Sequence, residues 1–327
     1  MSFPAEWALH RGTWLAWPDL PKEWAENHEG ARKEFLDLCR AIATTGAAPQ
    51  ETLNIFIKNE SERSRIESEL SGLRLRFYIF DYGDIWLRDT ACVFAADHTA
   101  HVFRFNGWGG KYILAKDAEL ATEVAKKADA KLVRHSYILE GGAIDHNGNG
   151  LWVTTKQCLL NANRNKEMNQ GDYEEKFKSL GARDICWISE GLLNDHTDGH
   201  VDNILRFVNE KTLLCMLPCG SADPHREKLL QIHEEAKVWA DKHSLDLLTV
   251  DSPGEVQGPE SFMPASYMNF YISNNCVVVP LYGTSSDEQA VEKIGKIFSS
   301  RKVIGLPSNN ILTGGGSFHC ITQQEPI

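Results

Sequence analysis

The sequence predicts an α/β propeller, one domain over residues 1–327 in which five similar units surround an axis. Two observations lead to this prediction. A loose pattern of strand, hairpin turn, strand, helix and strand recurs about five times along the chain. The last unit, at residues 320–323, lacks its second strand, and residues 13–17 near the N-terminus can supply one. Pairing of the two chain ends would then close the ring.

The hairpins are the first element of each unit. Asn-Gly and Asn-Asn pairs stand in two of the predicted turns, and such residues are typical of tight hairpins because they tolerate positive φ angles. The four predicted turns are residues 96–98, 147–150, 209–211 and 273–275. Each is flanked by short apolar runs, which favours two antiparallel strands.

Helices are expected between the hairpins. Phe35, Leu38, Cys39 and Ile42 fall on one face of a helix, since they are spaced by three and four residues. A similar apolar face recurs near residues 291–298. Further helices are predicted near residues 60–71, 116–129, 170–180 and 225–243. A short apolar strand follows most of them, at residues 75–80, 131–133, 184–188, 245–250 and 302–306.

Composition limits the classes of function. The chain has 327 residues, 42% of them hydrophobic, and a formal net charge of -11. An acidic protein of this kind is a poor partner for nucleic acid or an anionic membrane, which both need a basic surface. No signal peptide or membrane span is expected. Most of the eight cysteines lie in apolar runs without a C-x-x-C pair, which indicates buried thiols in the cytoplasm and no zinc ribbon.

The repeat places four chemically distinctive residues at comparable positions. Asp89, Glu140, His200 and Cys320 each stand beside the first strand of a unit. Five such strands around one axis would bring these side chains together at a central mouth. The sequence therefore predicts a site assembled from distant parts of the chain.

Cys320 is the candidate nucleophile. Three glycines at 314–316 precede it closely, and they leave room around the sulfur. A thiolate is a strong nucleophile when a base or positive field activates it. The alternative is an ordinary thiol in a turn. Ser317 is a weaker candidate, because the G-x-S-x-G elbow of serine hydrolases is missing.

His200 is the candidate base. It lies among aspartates, and in a strand its side chain would point the same way as that of Asp202. A metal site made by His196 and His200 would need helical spacing. Gly199 and the β-rich residues that follow disfavour a helix, so no metal is predicted.

The segment around Trp86 is suited to a flat cation. Asp84 and Asp89 offer carboxylate acceptors, and the indole of Trp86 offers a π face. A salt bridge of Arg88 inside a turn would explain the same residues. Glu140, followed by two glycines, can likewise be an exposed acid beside a β-bulge.

Together, these motifs resemble the agmatine deiminase and bacterial-type peptidylarginine deiminase family. Residues 86–89 read Trp-Leu-Arg-Asp, 140–142 Glu-Gly-Gly, 197–202 Thr-Asp-Gly-His-Val-Asp, and 314–326 run from Gly-Gly-Gly to Gln-Gln-Glu-Pro. Residues 14–18, 105–112 and 161–165 are also similar to that family, so the resemblance covers nearly the whole chain. Residues 316–318 depart mildly, reading Gly-Ser-Phe where the family often has Gly-Asn-Ile.

The resemblance implies a five-bladed, pentein-like α/β propeller and a set of functional residues. By position, Cys320 matches the nucleophile, His200 the general acid/base and Glu140 the partner of that histidine. Asp89 and Asp202 match the pair that holds the guanidinium, and Trp86 matches a residue that lines the substrate. The resemblance also implies a homodimer, and the chemistry requires no metal or organic cofactor.

The expected activity is hydrolysis of agmatine to N-carbamoylputrescine and ammonia through a covalent thiouronium, in putrescine biosynthesis. The alternatives are a peptidylarginine deiminase, an enzyme for free arginine, a thiol amidase and a non-catalytic protein that binds a cationic ligand. Free arginine would need a cation for its carboxylate, and the sequence does not place Arg88, Arg104, Arg164 or Lys111 relative to the site.

Overall fold

The strands form five separate sheets. The computed structural model describes residues 3–258 and 261–327. The strands, in chain order, are β1 His10–Ala16, β2 Thr52–Ile57, β3 Leu75–Ile79, β4 Val93–Phe94, β5 Thr99–Arg104, β6 Lys131–Ile138, β7 Ile144–His146, β8 Leu151–Thr155, β9 Asp184–Ile188, β10 Leu205–Asn209, β11 Thr212–Leu217, β12 Asp246–Asp251, β13 Tyr271–Ile272, β14 Cys276–Leu281, β15 Lys302–Pro307 and β16 Gln323–Pro326. Each sheet is built from neighbouring parts of the chain, except where β16 joins β1–β3.

Every three-stranded sheet has the same plan. Its first two strands form an antiparallel hairpin, and the third lies parallel to the second, as where Leu213 pairs with Leu247. Parallel neighbours need a crossover connection, and a helix fills each one. The longer helices are α1 His28–Ile42, α2 Ser61–Glu69, α3 Asp117–Lys127, α4 Gln170–Ser179, α5 Arg226–His243 and α6 Asp287–Ile297. The predicted α/β unit and its repetition are confirmed.

The two ends of the chain make the missing hairpin. β16 runs antiparallel to β1, with Pro326 opposite His10 and Gln323 opposite Trp14. β1 then pairs in parallel with β2, and β2 with β3, so this sheet has four strands. The predicted pairing of the chain ends is therefore correct.

The second strand of each hairpin lies in the core. β8 is buried along its whole length, and β11 and β14 are buried except at their last residue. Helices cover the outer side, and α1 buries Phe35, Leu38, Cys39 and Ile42 as its spacing predicted. Over residues 3–258 and 261–327, no helix is both long and apolar enough to cross a bilayer.

Short helical turns precede the first strands at one end of the molecule. Leu87–Thr90, Gly141–Ala143 and Val201–Asn203 come just before β4, β7 and β10. The predicted strand through His200 and Asp202 is therefore wrong: side-chain alternation does not apply across a 3₁₀ turn. The three turns contact one another in series, the first with the second and the second with the third. They thereby gather the side chains that the sequence placed far apart.

Candidate active site

A cavity of about 190 Å³ opens beside these turns. Three of the predicted site residues, Trp86, Asp89 and Cys320, line it. The other three, Glu140, His200 and Asp202, are buried beside them and do not line the cavity wall. All six predicted residues therefore lie in one region.

Cys320 lies in a turn whose backbone is held by Asn269. The Asn269 side chain donates to the Cys320 sulfur over 3.1 Å and accepts from the Cys320 backbone N–H over 3.2 Å. A Cβ at Gly316 would come 3.0 Å from this sulfur and 2.8 Å from the Trp86 ring. The glycine is needed because any side chain there would crowd the sulfur of Cys320 and the ring of Trp86.

The thiol of Cys320 is held in its neutral form. Burial raises its pKa well above the ordinary value, and the nearby charges of Asp202 and Asp89 raise it further. The hydrogen bond from Asn269 acts in the opposite direction. At neutral pH this environment therefore favours the thiol over the thiolate.

The two carboxylates are held differently. Asp89 accepts from the backbone N–H of Gly142 over 2.9 Å and from the indole of Trp108 over 2.8 Å. Burial raises its pKa. Asp202 places one oxygen 3.8 Å from the Cys320 sulfur, where it also accepts from His319 over 2.7 Å. Burial alone would raise the pKa of Asp202, but His319 and the charges of His200 and Arg206 lower it.

Gly142 marks the point at which the site converges. A Cβ built on it would lie 2.7 Å from Nδ1 of His200, 2.9 Å from Oδ2 of Asp202 and 3.1 Å from Oδ1 of Asp89. Three functional groups therefore surround one empty position. Only glycine fits there without displacing them.

His200 is buried, and its Nδ1 lies 3.8 Å from Asp89. Burial alone would lower the imidazole pKa, but the charge of Asp89, with Cys158 and Glu140, raises it well above its ordinary value. Within the described ranges, neither ring nitrogen has a hydrogen-bond partner. This histidine is therefore placed to carry a proton.

Glu140 is bound to Arg164 rather than to His200. Its Oε1 accepts from Nε of Arg164 over 2.7 Å, and both side chains are fully buried. Its Oε2 has no partner among the residues described. Glu140, Cys158 and His200 each have one side-chain atom of a kind that can bind a metal ion, and these three atoms lie within 4.8 Å of one another. Glu140 is thus near the imidazole without a direct hydrogen bond to it.

The sequence of residues 2–326 matches the profile of the Porphyromonas-type peptidyl-arginine deiminase family. The chain belongs to this family. It is 31% identical to the agmatine deiminase of Stutzerimonas stutzeri, over 99% of this chain and 95% of that protein. Solved structures agree with this relationship. An agmatine deiminase from C. jejuni, a cysteine-to-serine variant with substrate bound, matches with a TM-score of 0.89 at 26% identity over 99% of this chain and 96% of that one. The agmatine deiminase of Enterococcus faecalis matches with a TM-score of 0.91 at 25% identity, over 99% and 95%.

In this member of the peptidyl-arginine deiminase family, the Arg and Lys side chains considered in the sequence analysis do not line the cavity. Arg164 binds Glu140 and Asp198, and Arg88 binds Gln324 and the carbonyl of His319. Lys111 binds Asp198, and Arg104 is exposed at the end of β5. Of the described residues that line the cavity, none is Lys or Arg.

Asp84 fixes the position of the Trp86 side chain. The indoles of Trp24 and Trp86 lie 6.0 Å apart, and each donates to one oxygen of Asp84, over 3.1 and 3.0 Å. Burial raises the pKa of Asp84 to about 6. Asp84 therefore holds the aromatic wall in place.

Sequence reasoning missed several residues of the site. Direct contacts with Cys320, Asp89, Glu140 or Asp202 are made by Asn269, Trp108, Arg164 and His319. His319 could have been suspected from its place next to Cys320. Trp108 and Arg164 stand in segments that resemble the family, but nothing in those segments indicates which acid they bind.

Proposed function

We propose that this chain is an agmatine deiminase, which hydrolyses the guanidinium of agmatine to N-carbamoylputrescine and ammonia. The relatives named above support the reaction class. The observation that carries the proposal is a thiol beside two carboxylates, at a cavity whose described lining contains no Lys or Arg. Such a site attracts a cation and repels a carboxylate.

The charge of the substrate explains why acids stand near a nucleophile. A guanidinium is always protonated in water and offers planar N–H donors. Asp89 and Asp202 are proposed to accept from these donors and hold the carbon near the sulfur of Cys320. An amide hydrolase would instead need hydrogen-bond donors for a developing oxyanion. Carboxylates therefore favour a guanidine over an amide.

In the first half-reaction, the bound cation offsets the negative charges of Asp89 and Asp202, and the thiol loses its proton to solvent. The thiolate of Cys320 attacks the guanidinium carbon and forms an S–C bond. Protonated His200 gives its proton to the departing nitrogen, the C–N bond breaks and ammonia leaves. A covalent thiouronium on Cys320 remains.

In the second half-reaction, neutral His200 takes a proton from water. The resulting hydroxide attacks the thiouronium carbon and forms a C–O bond. The S–C bond then breaks, the hydroxyl proton passes to the departing sulfur, and the neutral ureido product leaves Cys320 as a thiol and His200 protonated. General acid and base catalysis of this kind contributes about 10²- to 10⁴-fold. Glu140 is proposed to favour the charged imidazole from its position beside the ring, rather than to orient the ring through a hydrogen bond as the family resemblance implied.

The tail of the substrate distinguishes agmatine from arginine. Agmatine ends in an amine, whereas arginine also carries a carboxylate. Glu23 and Asp84 lie on the cavity wall, so the wall carries acids without a partner cation for a carboxylate. This favours agmatine over free arginine.

Ammonia release is the direct test. Wild-type protein is expected to release ammonia from agmatine much faster than from arginine or an arginine-containing peptide. Cys320→Ala is expected to release none, while Cys219→Ala, which removes an exposed thiol, should match the wild type. Faster turnover of the peptide would assign the peptidylarginine reaction instead. Binding of agmatine without ammonia release by the wild type would indicate a non-catalytic binding protein.

We also propose the wider setting that the sequence suggested. The chain acts as one domain over residues 1–327, as a homodimer, in the cytoplasm and in putrescine biosynthesis, without a metal or organic cofactor. Sedimentation of the purified protein tests the dimer. Activity that survives extensive dialysis against a chelator would support the absence of a metal.

A further inference from the structure

A chain of buried charged groups lies behind the nucleophile. It starts at Glu6, in the segment before β1, and the Glu6 side chain is only 6% exposed. One oxygen of Glu6 accepts from Nε2 of His319 over 2.7 Å. Nδ1 of the same imidazole lies 2.7 Å from Oδ2 of Asp202. His319 therefore bridges an acid from the start of the chain and an acid of the site.

Each of the two ring nitrogens of His319 contacts a carboxylate, and each contact requires a proton on that nitrogen. Ionised carboxylates only accept hydrogen bonds, so an imidazole between two of them satisfies both when each nitrogen carries a hydrogen. Such a ring is positively charged, and charge-assisted hydrogen bonds are stronger than neutral ones. A cation is thus held against Asp202 by a residue that does not line the cavity.

Glu6 is itself held firmly. Its Oε1 accepts from the backbone N–H of Ile272 over 2.8 Å, and its Oε2 also accepts from Arg206 over 2.8 Å. Arg88 lies 3.5 Å away. Although burial raises the pKa of Glu6, the charges of Arg206, His319 and Arg88 bring it well below its ordinary value. Glu6 remains an anion of fixed position.

The bridge leaves one oxygen of Asp202 free. Oδ2 receives His319, while the buried Oδ1 has no partner among the described residues. If the proposed function holds, this free oxygen is the acceptor for a guanidinium N–H. We propose that Glu6 is a positioning residue for substrate binding, which acts through His319 to fix the orientation and charge of Asp202.

The substitution Glu6→Gln removes the negative charge of the side chain while keeping its shape. A glutamine keeps an acceptor for His319 but loses the anion, so the charge-assisted hydrogen bond between Glu6 and His319 is lost and His319 holds Asp202 less firmly. The KM for agmatine is expected to rise on the order of ten- to a hundredfold, the range for a hydrogen bond to a charged group. The change in kcat should be smaller, because Cys320 and His200 are not contacted by Glu6.

Asp145→Asn is the matched control. Asp145 also pairs with Arg206, at 3.3 Å, and accepts from the backbone of Phe207, but it has no hydrogen bond to His319. This variant should lose stability without a rise in KM. An equal rise in KM would mean that loosening Arg206 is enough, and the proposal would be overturned.

A double-mutant cycle tests the route. His319→Asn keeps a donor near the position of Nδ1 but cannot reach Glu6, and it should raise KM by itself. In that background, Glu6→Gln should raise KM no further. Additive effects would show that Glu6 acts by another path. If Glu6→Gln does not fold, an unchanged KM in His319→Asn alone overturns the proposal.

Calorimetric binding of agmatine to Cys320→Ala protein separates this inference from the proposed function. Wild-type turnover with an unchanged KM in Glu6→Gln refutes only the role of Glu6. Failure of the wild type to release ammonia refutes the proposed function, whereas weaker binding of agmatine when Glu6→Gln is added to Cys320→Ala would still support the role of Glu6.

Discussion

At the scale of single residues, Asp89 and Asp202 show that burial alone does not set the charge of an acid. Both are buried, yet the pKa of Asp89 is raised and that of Asp202 is lowered. Within residues 3–258 and 261–327, the hydrogen bonds to the Asp89 side chain come from the neutral donors Trp108 and Gly142, whereas Asp202 accepts from His319. Asp89 and Asp202, which are proposed to bind the same substrate, therefore differ in how readily they ionise.

The thiol of Cys320 gives a prediction at this scale. Because burial and two acids raise its pKa, thiolate absorbance should appear in the free enzyme only above the ordinary thiol pKa of about 8.5. His200→Asn slows turnover by removing the proton donor. In that variant, agmatine should lower the apparent thiol pKa, because the cation offsets Asp89 and Asp202. Titration of the ultraviolet difference between Cys320 and Cys320→Ala proteins measures both. A low thiol pKa in the free enzyme, equal in His200→Asn, would contradict this account.

Sequence reasoning at this scale depends on local signals. Cys320 follows a glycine run and His200 stands among acids, so both were visible. Glu6 has no such signal: it lies in an unremarkable N-terminal segment and contacts His319 313 residues away. Arg164 is similar, since only the fold places it on Glu140. Such pairings arise from the path of the chain and not from any motif.

At the scale of elements, the helical turns before the first strands hold Asp89, Gly142 and Asp202. The sequence predicted strands there, because the apolar residues that follow are β-rich. It did not predict that each strand would start a few residues later, after a turn. The repeat in the sequence could also have indicated one further site residue, Asn269. In the fourth unit Asn269 stands just before β13, the place that the other units use for Asp89, Glu140, His200 and Cys320.

Gly142→Ala tests the convergence of these turns. Its Cβ would fall within about 3 Å of His200, Asp202 and Asp89, so at least two groups must move. Misplacement of this kind costs about a hundredfold in rate, and kcat/KM for agmatine is expected to fall by at least that much. Gly295→Ala makes the same chemical change in α6, where the nearest atom is 3.9 Å away. This control should keep full activity. A Gly142→Ala enzyme as active as the control would show that the convergence is unimportant.

At the scale of the whole molecule, the two ends of the chain are joined by side-chain contacts as well as by the pairing of β1 with β16. Glu325 is buried and accepts from Trp14 over 2.9 Å, while its other oxygen lies 3.1 Å from His98. The pairing of the chain ends was predictable, because one unit lacked a strand and the N-terminus had one to offer. The side-chain contacts of Glu325 were not predictable from the sequence, because they depend on the register between β1 and β16.

Glu325→Ala is expected to destabilise the fold by about 1 to 3 kcal/mol, because it leaves the indole N–H of Trp14 buried without an acceptor. Glu325→Gln keeps an acceptor for Trp14 and should lose less. Denaturant unfolding measures both variants. Equal stability of Glu325→Ala and wild type would show that β-sheet pairing alone secures the closure.

The seam between β1 and β16 also orders events during synthesis. A ribosome makes Asp89, Glu140, His200 and Asp202 long before it makes Cys320 and the strand that follows. A chain that ends before residue 320 therefore has the acids proposed to bind a guanidinium, but neither the sulfur proposed to react with it nor the strand that completes the first sheet. Such truncated products are expected to be inert rather than partly active.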